Sequence, residues 1–110
     1  MAIKKVQPFD PKDTKLAEFA NALSHPARIT ILRTLVEQKR CVCGEIVDVL
    51  PLAQSTVSQH LKVLKMADLI HAEIEGTKSW YCINQDTLDE FAQSIQNLFS
   101  EFTQKGVVNP

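Results

Sequence analysis

The sequence predicts a mainly α domain of about five helices and two strands, and three observations carry that reading. Apolar residues recur at helical spacing through four stretches between Asp13 and Met66, and again from Leu88 to Phe102. Between Leu69 and Asn84 the period changes to two. Pro26, Pro51 and Gly76 fall at the breaks, where a missing N–H or a left-handed turn is tolerated.

Residues 1–11 hold two prolines and little periodicity, so they read as an N-terminal arm ahead of one domain over residues 12–106. Leu16, Phe19, Ala20 and Leu23 give the first helix its apolar stripe from Asp13 onward. Pro26 suits the first turn of the second, whose stripe is Ile29, Leu32, Leu35 and Val36. A third helix of barely two turns fits Ile46 to Leu50 before Pro51. The fourth runs from Ala53 to Met66, with Val57, Leu61 and Leu64 at spacings of four and three. Ile70, Ala72 and Ile74 then alternate with His71, Glu73 and Glu75. After a turn at Glu75 to Lys78, Tyr81 and Ile83 share one face of a second strand, and Trp80 and Cys82 the other. Asp86 and Thr87 open a last long helix that Gly106 is placed to stop.

The chain has 110 residues, 45% of them hydrophobic, which suffices for one small core. No run approaches the roughly 18 apolar residues of a membrane span, and the start lacks a secretory signal, so a soluble, cytoplasmic protein without a membrane partner is expected. Three cysteines do not form the dense, even framework of a secreted scaffold and are expected to be reduced thiols. The net charge of −1 is not that of an overall basic protein, but its distribution is uneven. Arg28, Arg33, Lys39 and Arg40 face only Glu37 in residues 25–40, and Lys62 and Lys65 stand without an acid in residues 53–65. Residues 85–105 set Asp86, Asp89, Glu90 and Glu101 against Lys105.

A short helix, a tight Pro-containing connection, a helix with a polar face and a β-hairpin follow the order of a winged helix-turn-helix, whose second helix enters the major groove of DNA. On the fourth helix Gln54 and Gln59 can present a paired donor and acceptor to adenine. Ser55, Thr56 and Ser58 can bond bases or phosphates; His60 faces DNA or packs; Lys62 and Lys65 can neutralise phosphate. Arg28, Lys39 and Arg40, and Lys78 in the hairpin turn, are further candidate contacts. A polar face is ordinarily just a solvated one, but solvated faces use Glu, Lys and Arg, the stronger helix formers, rather than a Ser/Thr cluster.

Three segments in order carry a family resemblance: Ser24-His25-Pro26-Ala27-Arg28 with Ile31-Leu32, then Cys41-Val42-Cys43, then Gln54 through Lys62. Over about residues 16–84 the chain resembles the ArsR/SmtB family of metalloregulatory repressors. The resemblance implies a homodimer that binds a double-stranded operator of imperfect twofold symmetry and leaves it when an inducer binds. It implies a dimer interface on the first and last helices, here through Leu16, Phe19, Phe91, Ile95, Phe99 and Phe102; for Phe91, Ile95, Phe99 and Phe102 intrachain core is the alternative reading. Relatives usually have Ser or Thr where Ala53 stands, which removes a helix cap, and the wing residues Glu73, Glu75 and Lys78 sum to −1.

Cys41 and Cys43 form the one constellation of the sequence with ligand chemistry. In a helix, residues two apart point about 200° apart, so both thiolates reach one ion only from extended backbone. Thiolates select soft metals and metalloids. The resemblance implies arsenite or antimonite, As(III) or Sb(III), as inducer at this pair, with no cofactor required otherwise. Where relatives often add a third cysteine this chain has Ile46, so a third thiolate has to come from Cys82 or elsewhere. The last helix lacks the histidines of the zinc site some relatives build there. His25 and His71 have no second ligand nearby in sequence and receive ordinary structural roles. Packing cysteines, a redox or other non-metal inducer, and a winged-helix protein-interaction module remain open alternatives. No Ser/His/Asp, Cys/His or phosphate-cradling Gly-rich pattern suggests an enzyme.

Overall fold

The computed structural model describes residues 8–105. Helix α1 spans Pro11–Ala22 and α2 spans Pro26–Gln38. Strand β1, Cys41–Val42, leads directly into α3, Cys43–Val49, and then α4, Gln54–Met66. Strands β2, Ile70–Glu75, and β3, Lys78–Ile83, form the wing, and α5 closes the chain over Gln85–Lys105. Five helices with a hairpin wing agree with the fold read from the sequence. The two-strand count is corrected to three: β1 pairs antiparallel with β3, in the order β1-β3-β2.

Local chemistry sets the boundaries. Asp10 accepts from the Lys12 N–H at 2.8 Å and caps α1, which therefore starts at Pro11 rather than Asp13. His25 Nδ1 accepts from the Ala27 N–H at 2.9 Å and caps α2. Lys39 turns the chain at a φ of 73° and sends it into β1. At the end of α4, Asp68 takes a φ of 64°. The Leu69 and Asp68 amides return to the Leu64 and Lys65 carbonyls, a Schellman stop built on aspartate instead of glycine. Gly76, with φ 60°, opens the two-residue wing loop; a positive φ at this first loop position only is the pattern of a type II′ hairpin. The expected stop at Gly106 and the first seven residues of the arm lie outside the described residues.

The core joins Phe19 and Ala22 of α1, Ile31 and Leu35 of α2 and Ile46 of α3. Cys41 of β1, Val57, Leu61 and Leu64 of α4, Leu69 and Ile70, and Phe91 of α5 complete it. The apolar stripe of each helix thus meets those of its neighbours, and α4 is held by three fully buried side chains while its opposite face stays in solvent. Among the described residues, no buried side-chain N or O atom lacks a hydrogen-bond partner. None of the described helices is long and apolar enough to cross a membrane.

Candidate nucleic-acid interface

Val57, Leu61 and Leu64 fix the rotation of α4, and with it the direction of every other side chain on the helix. At about 100° per residue, Ser55, Ser58, Gln59 and Lys62 fall within roughly a quarter to a third of the circumference, opposite the buried stripe. All four are exposed, as are Gln54 and Lys65 on the edge of the same face. Lys62 and Lys65 form no ion pair among the described residues, so their charges are available to an anionic partner. Thr56 and His60 lie on the flank and are partly buried. The N-cap of the helix is Ala53, which supplies no side-chain cap and leaves first-turn N–H groups directed at solvent or ligand.

His60 is drawn into the corner between α1 and α2. Its Nδ1 accepts from Arg28 Nη1 at 3.0 Å, and its ring lies 4.4 Å from that of His25. Burial lowers the pKa of His60, and the charges of His25 and Arg28 lower it further, so the neutral form with Nδ1 as acceptor is favoured. The rest of the Arg28 fork donates to the Ala22 and Asn21 carbonyls and to Ser24 Oγ at 2.8 to 3.1 Å. The arginine expected at phosphate is therefore committed to closing the end of α1 and bracing α4. Arg40 is likewise occupied: it bonds Glu75 at 2.7 Å and lies 4.3 Å over the Trp80 ring. Lys39 and Lys78 are exposed; Lys78 sits opposite Glu75 in the hairpin register.

The cysteines separate into three environments. Cys41 on β1 is 1% exposed and belongs to the core. Burial raises its thiol pKa and the Glu45 charge adds to this, so thiolate is disfavoured. Cys43 begins α3, half-buried, with Sγ 3.7 Å from the Ser58 hydroxyl of α4. The pair thus straddles a strand-to-helix junction rather than lying within a helix, with the extended backbone that shared ligation requires present at Cys41. Cys41 is registered with Tyr81 and Cys82 with His71, which puts Cys41 and Cys82 on opposite faces of the sheet. The structure does not bring Cys82 to the pair as a third thiolate.

Of the residues expected at a dimer interface, Phe19 and Phe91 are 1% and 6% exposed, with ring centroids 5.0 Å apart. They are intrachain core, a correction that follows from α5 packing directly on α1. Leu16 and Ile95 are partly buried against the same core. Phe99 and Phe102 are 56% and 53% exposed and form a small aromatic patch. His71, given an ordinary role for want of a nearby ligand, lies directly across the hairpin from Cys82. Only the strand register reveals that neighbour.

A helix-turn-helix with an exposed Ser/Gln/Lys face, followed by a hairpin wing, is the arrangement of a winged helix-turn-helix DNA-binding domain. Residues 25–72 match the model of the bacterial regulatory protein arsR family. The chain is 39% identical over 88 residues to an uncharacterized HTH-type transcriptional regulator of Methanocaldococcus jannaschii, covering 79% of this chain and 98% of that protein. It is 29% identical over 93 residues to an arsenical resistance operon repressor of Staphylococcus aureus, covering 84% and 88% respectively. An ArsR-like transcriptional regulator from Rhodococcus sp. RHA1 has the same fold, with a TM-score of 0.76 at 21% identity over 87% of this chain and 90% of that one. The chain belongs to the arsR family of bacterial regulatory proteins.

Proposed function

We propose that the chain acts as a homodimeric repressor that sets α4 of each copy into successive major grooves of a twofold operator and is released by a thiophilic inducer. The observation that carries this reading is the exposed stripe of Ser55, Ser58, Gln59 and Lys62 opposite the buried Val57, Leu61 and Leu64. Gln59 and Gln54 supply base-edge contacts, the hydroxyls and the uncapped first turn bond bases or phosphates, and Lys62 and Lys65 contribute the salt-dependent part of affinity. Phe99 and Phe102 supply exposed apolar area for pairing through α5.

Arsenite or antimonite is the inducer class, at Cys41 and Cys43, in keeping with the arsenical resistance repressor among the relatives. Each arsenic–sulfur bond formed from arsenous acid releases one water, the thiol supplying the proton. Because Cys41 is buried, ligation requires β1 to leave its register with Tyr81. Cys43 touches Ser58, so the same movement reaches the reading face of α4. No other cofactor enters this reading.

The test is fluorescence anisotropy of the reduced protein on duplexes from its own upstream DNA, with and without arsenite, repeated with Cys41→Ala plus Cys43→Ala. Tight, sequence-dependent binding that arsenite releases only in the unsubstituted chain supports the whole reading. Binding indifferent to arsenite retains the repressor and removes the cysteine pair from induction. Absence of any preference for operator over scrambled duplex overturns the operator reading.

A further inference from the structure

The wing carries a second group of metal-ligating side chains, apart from the Cys41 and Cys43 pair. His71 and Cys82 are direct partners across β2 and β3, and Glu73, two residues along β2, shares their face of the sheet. Cys82 Sγ lies 2.9 Å from His71 Nε2 and 3.8 Å from Glu73 Oε1. His71 Nε2 lies 3.6 Å from the same carboxylate oxygen. The three ligand atoms fall within 4.8 Å of one another, and among the described residues no other group of three or more His, Cys, Asp or Glu side chains converges in this way.

From this convergence we infer that the wing hairpin binds a divalent cation of the zinc class through His71 Nε2, Cys82 Sγ and Glu73 Oε1. Zinc holds nitrogen and oxygen at about 2.0–2.2 Å and thiolate at about 2.3 Å, so ligand atoms around a tetrahedral ion stand roughly 3.5 Å apart. The present separations bracket that value, and side-chain shifts of a fraction of an ångström reach it. An imidazole, a thiolate and one carboxylate suit a borderline-soft ion and not magnesium or calcium, which require oxygen ligands throughout. The scaffold is set in advance: the hairpin register fixes all three positions, and Arg40 straps the same face by stacking on Trp80 and bonding Glu75. Three protein ligands leave the fourth position to water.

Binding displaces the Cys82 thiol proton to solvent, while His71 ligates as neutral imidazole and Glu73 as carboxylate. Exchange of one proton for a dication makes the wing more positive by one charge. This site stands independently of the operator reading and lies on the sheet face opposite Cys41.

Cobalt(II) is the probe, because thiolate ligation gives a near-ultraviolet charge-transfer band and tetrahedral geometry gives visible absorption. The full-length chain carrying Cys41→Ala and Cys43→Ala keeps Cys82 as its only cysteine, so any thiolate band then arises at the wing. The expected result is one cobalt per chain with that band, displacement by zinc, and a change in Trp80 emission, since Trp80 is the only tryptophan and shares the site's face. His71→Gln and Glu73→Gln in the same background are expected to weaken binding about ten-fold or more, at least the loss that an outer-shell partner causes. If the double variant loses its far-ultraviolet circular dichroism, Cys82→Ser in the otherwise natural chain is used, with loss of one bound equivalent expected. No thiolate band, or a band indifferent to both His71→Gln and Glu73→Gln, overturns the site.

Discussion

The Arg28 guanidinium donates to His60 Nδ1 across 3.0 Å and so ties α4 to the corner where α1 meets α2. The bond requires an unprotonated Nδ1, and the lowered pKa of His60 has the same direction. The unfolded chain takes up a proton near the ordinary value of 6.5 while the folded chain still resists it. The stability contributed by neutral His60 is therefore complete above pH 6.5 and is lost as pH falls through 6.5 toward the lower folded value. Denaturant melts at fixed protein concentration between about pH 5 and pH 8, the range in which histidine titrates, should show this decline. His60→Asn, which keeps an acceptor near Nδ1 without the titration, should flatten it; an unchanged slope in that variant would remove His60 as its source.

Arg28 and Lys62 are both cations of the helix-turn-helix, yet opposite consequences are expected when each is removed. Arg28→Ala strips donors from the Ala22 and Asn21 carbonyls and from His60, and should cost about 1–3 kcal/mol of stability, the range for charge-assisted hydrogen bonds. Lys62→Ala should leave the melt nearly unchanged and weaken binding to all duplexes. If the chain binds as the proposed dimer, with two copies of Lys62, the slope of log K against log salt should become shallower by about 2, at about 0.9 per phosphate contact. Gln59→Ala should instead lower discrimination between operator and mismatched duplex by about 1–3 kcal/mol. Equal salt slopes for the Lys62 variant and the unsubstituted chain would take Lys62 off the phosphate backbone.

Ala53 offers a gain rather than a loss. The first turn of α4 has no side-chain cap, and Ala53 already has the extended backbone, φ −68° and ψ 153°, that a capping residue adopts. Ala53→Ser should place a hydroxyl within reach of a first-turn N–H and add about 0.5–2 kcal/mol, typically near 1. Thermal or urea melts measure it; no gain would mean that water already satisfies those groups at no cost.

What the sequence revealed and what it concealed follow from how far apart the interacting residues lie. The exposed polar face of α4 was legible because three apolar residues at spacings of four and three define a helix's rotation, and the residues between them carry their chemistry openly. The partition of the wing into an Ile70, Ala72, Tyr81 and Ile83 face and a His71, Trp80 and Cys82 face was equally legible, since strand alternation is a local rule. Strand β1 was not, because two residues cannot display alternation. The commitment of Arg28 depends on where α1 ends, and the meeting of His71 with Cys82 depends on hairpin register. The Thr87 hydroxyl donates to Asp68 at 3.2 Å, joining the start of α5 to the end of α4, a pairing 19 residues apart that no local pattern announces. The aromatics of α1 and α5 illustrate a further limit. Helical spacing shows that Phe19, Phe91, Phe99 and Phe102 share an apolar role, but only packing divides them between one chain's core and a surface.

That division yields a test of how the copies associate. Phe19 is enclosed against Phe91 in the core of a single chain, so Phe19→Ala should cost about 3–5 kcal/mol through lost burial and a cavity, whatever the protein concentration. Phe99 and Phe102 touch each other with more than half of each side exposed, so replacing both by Ala should leave the secondary structure intact. If these residues pair α5 with a second copy, the double variant should dissociate at concentrations where the unsubstituted chain remains a dimer. It should also lose operator affinity in proportion, because two linked reading helices bind far more tightly than one. Sedimentation velocity across a dilution series, run beside anisotropy on the same samples, reads both effects. A Phe99→Ala, Phe102→Ala protein that stays dimeric at every dilution would move the interface to another face, with the α4 reading surface unaffected.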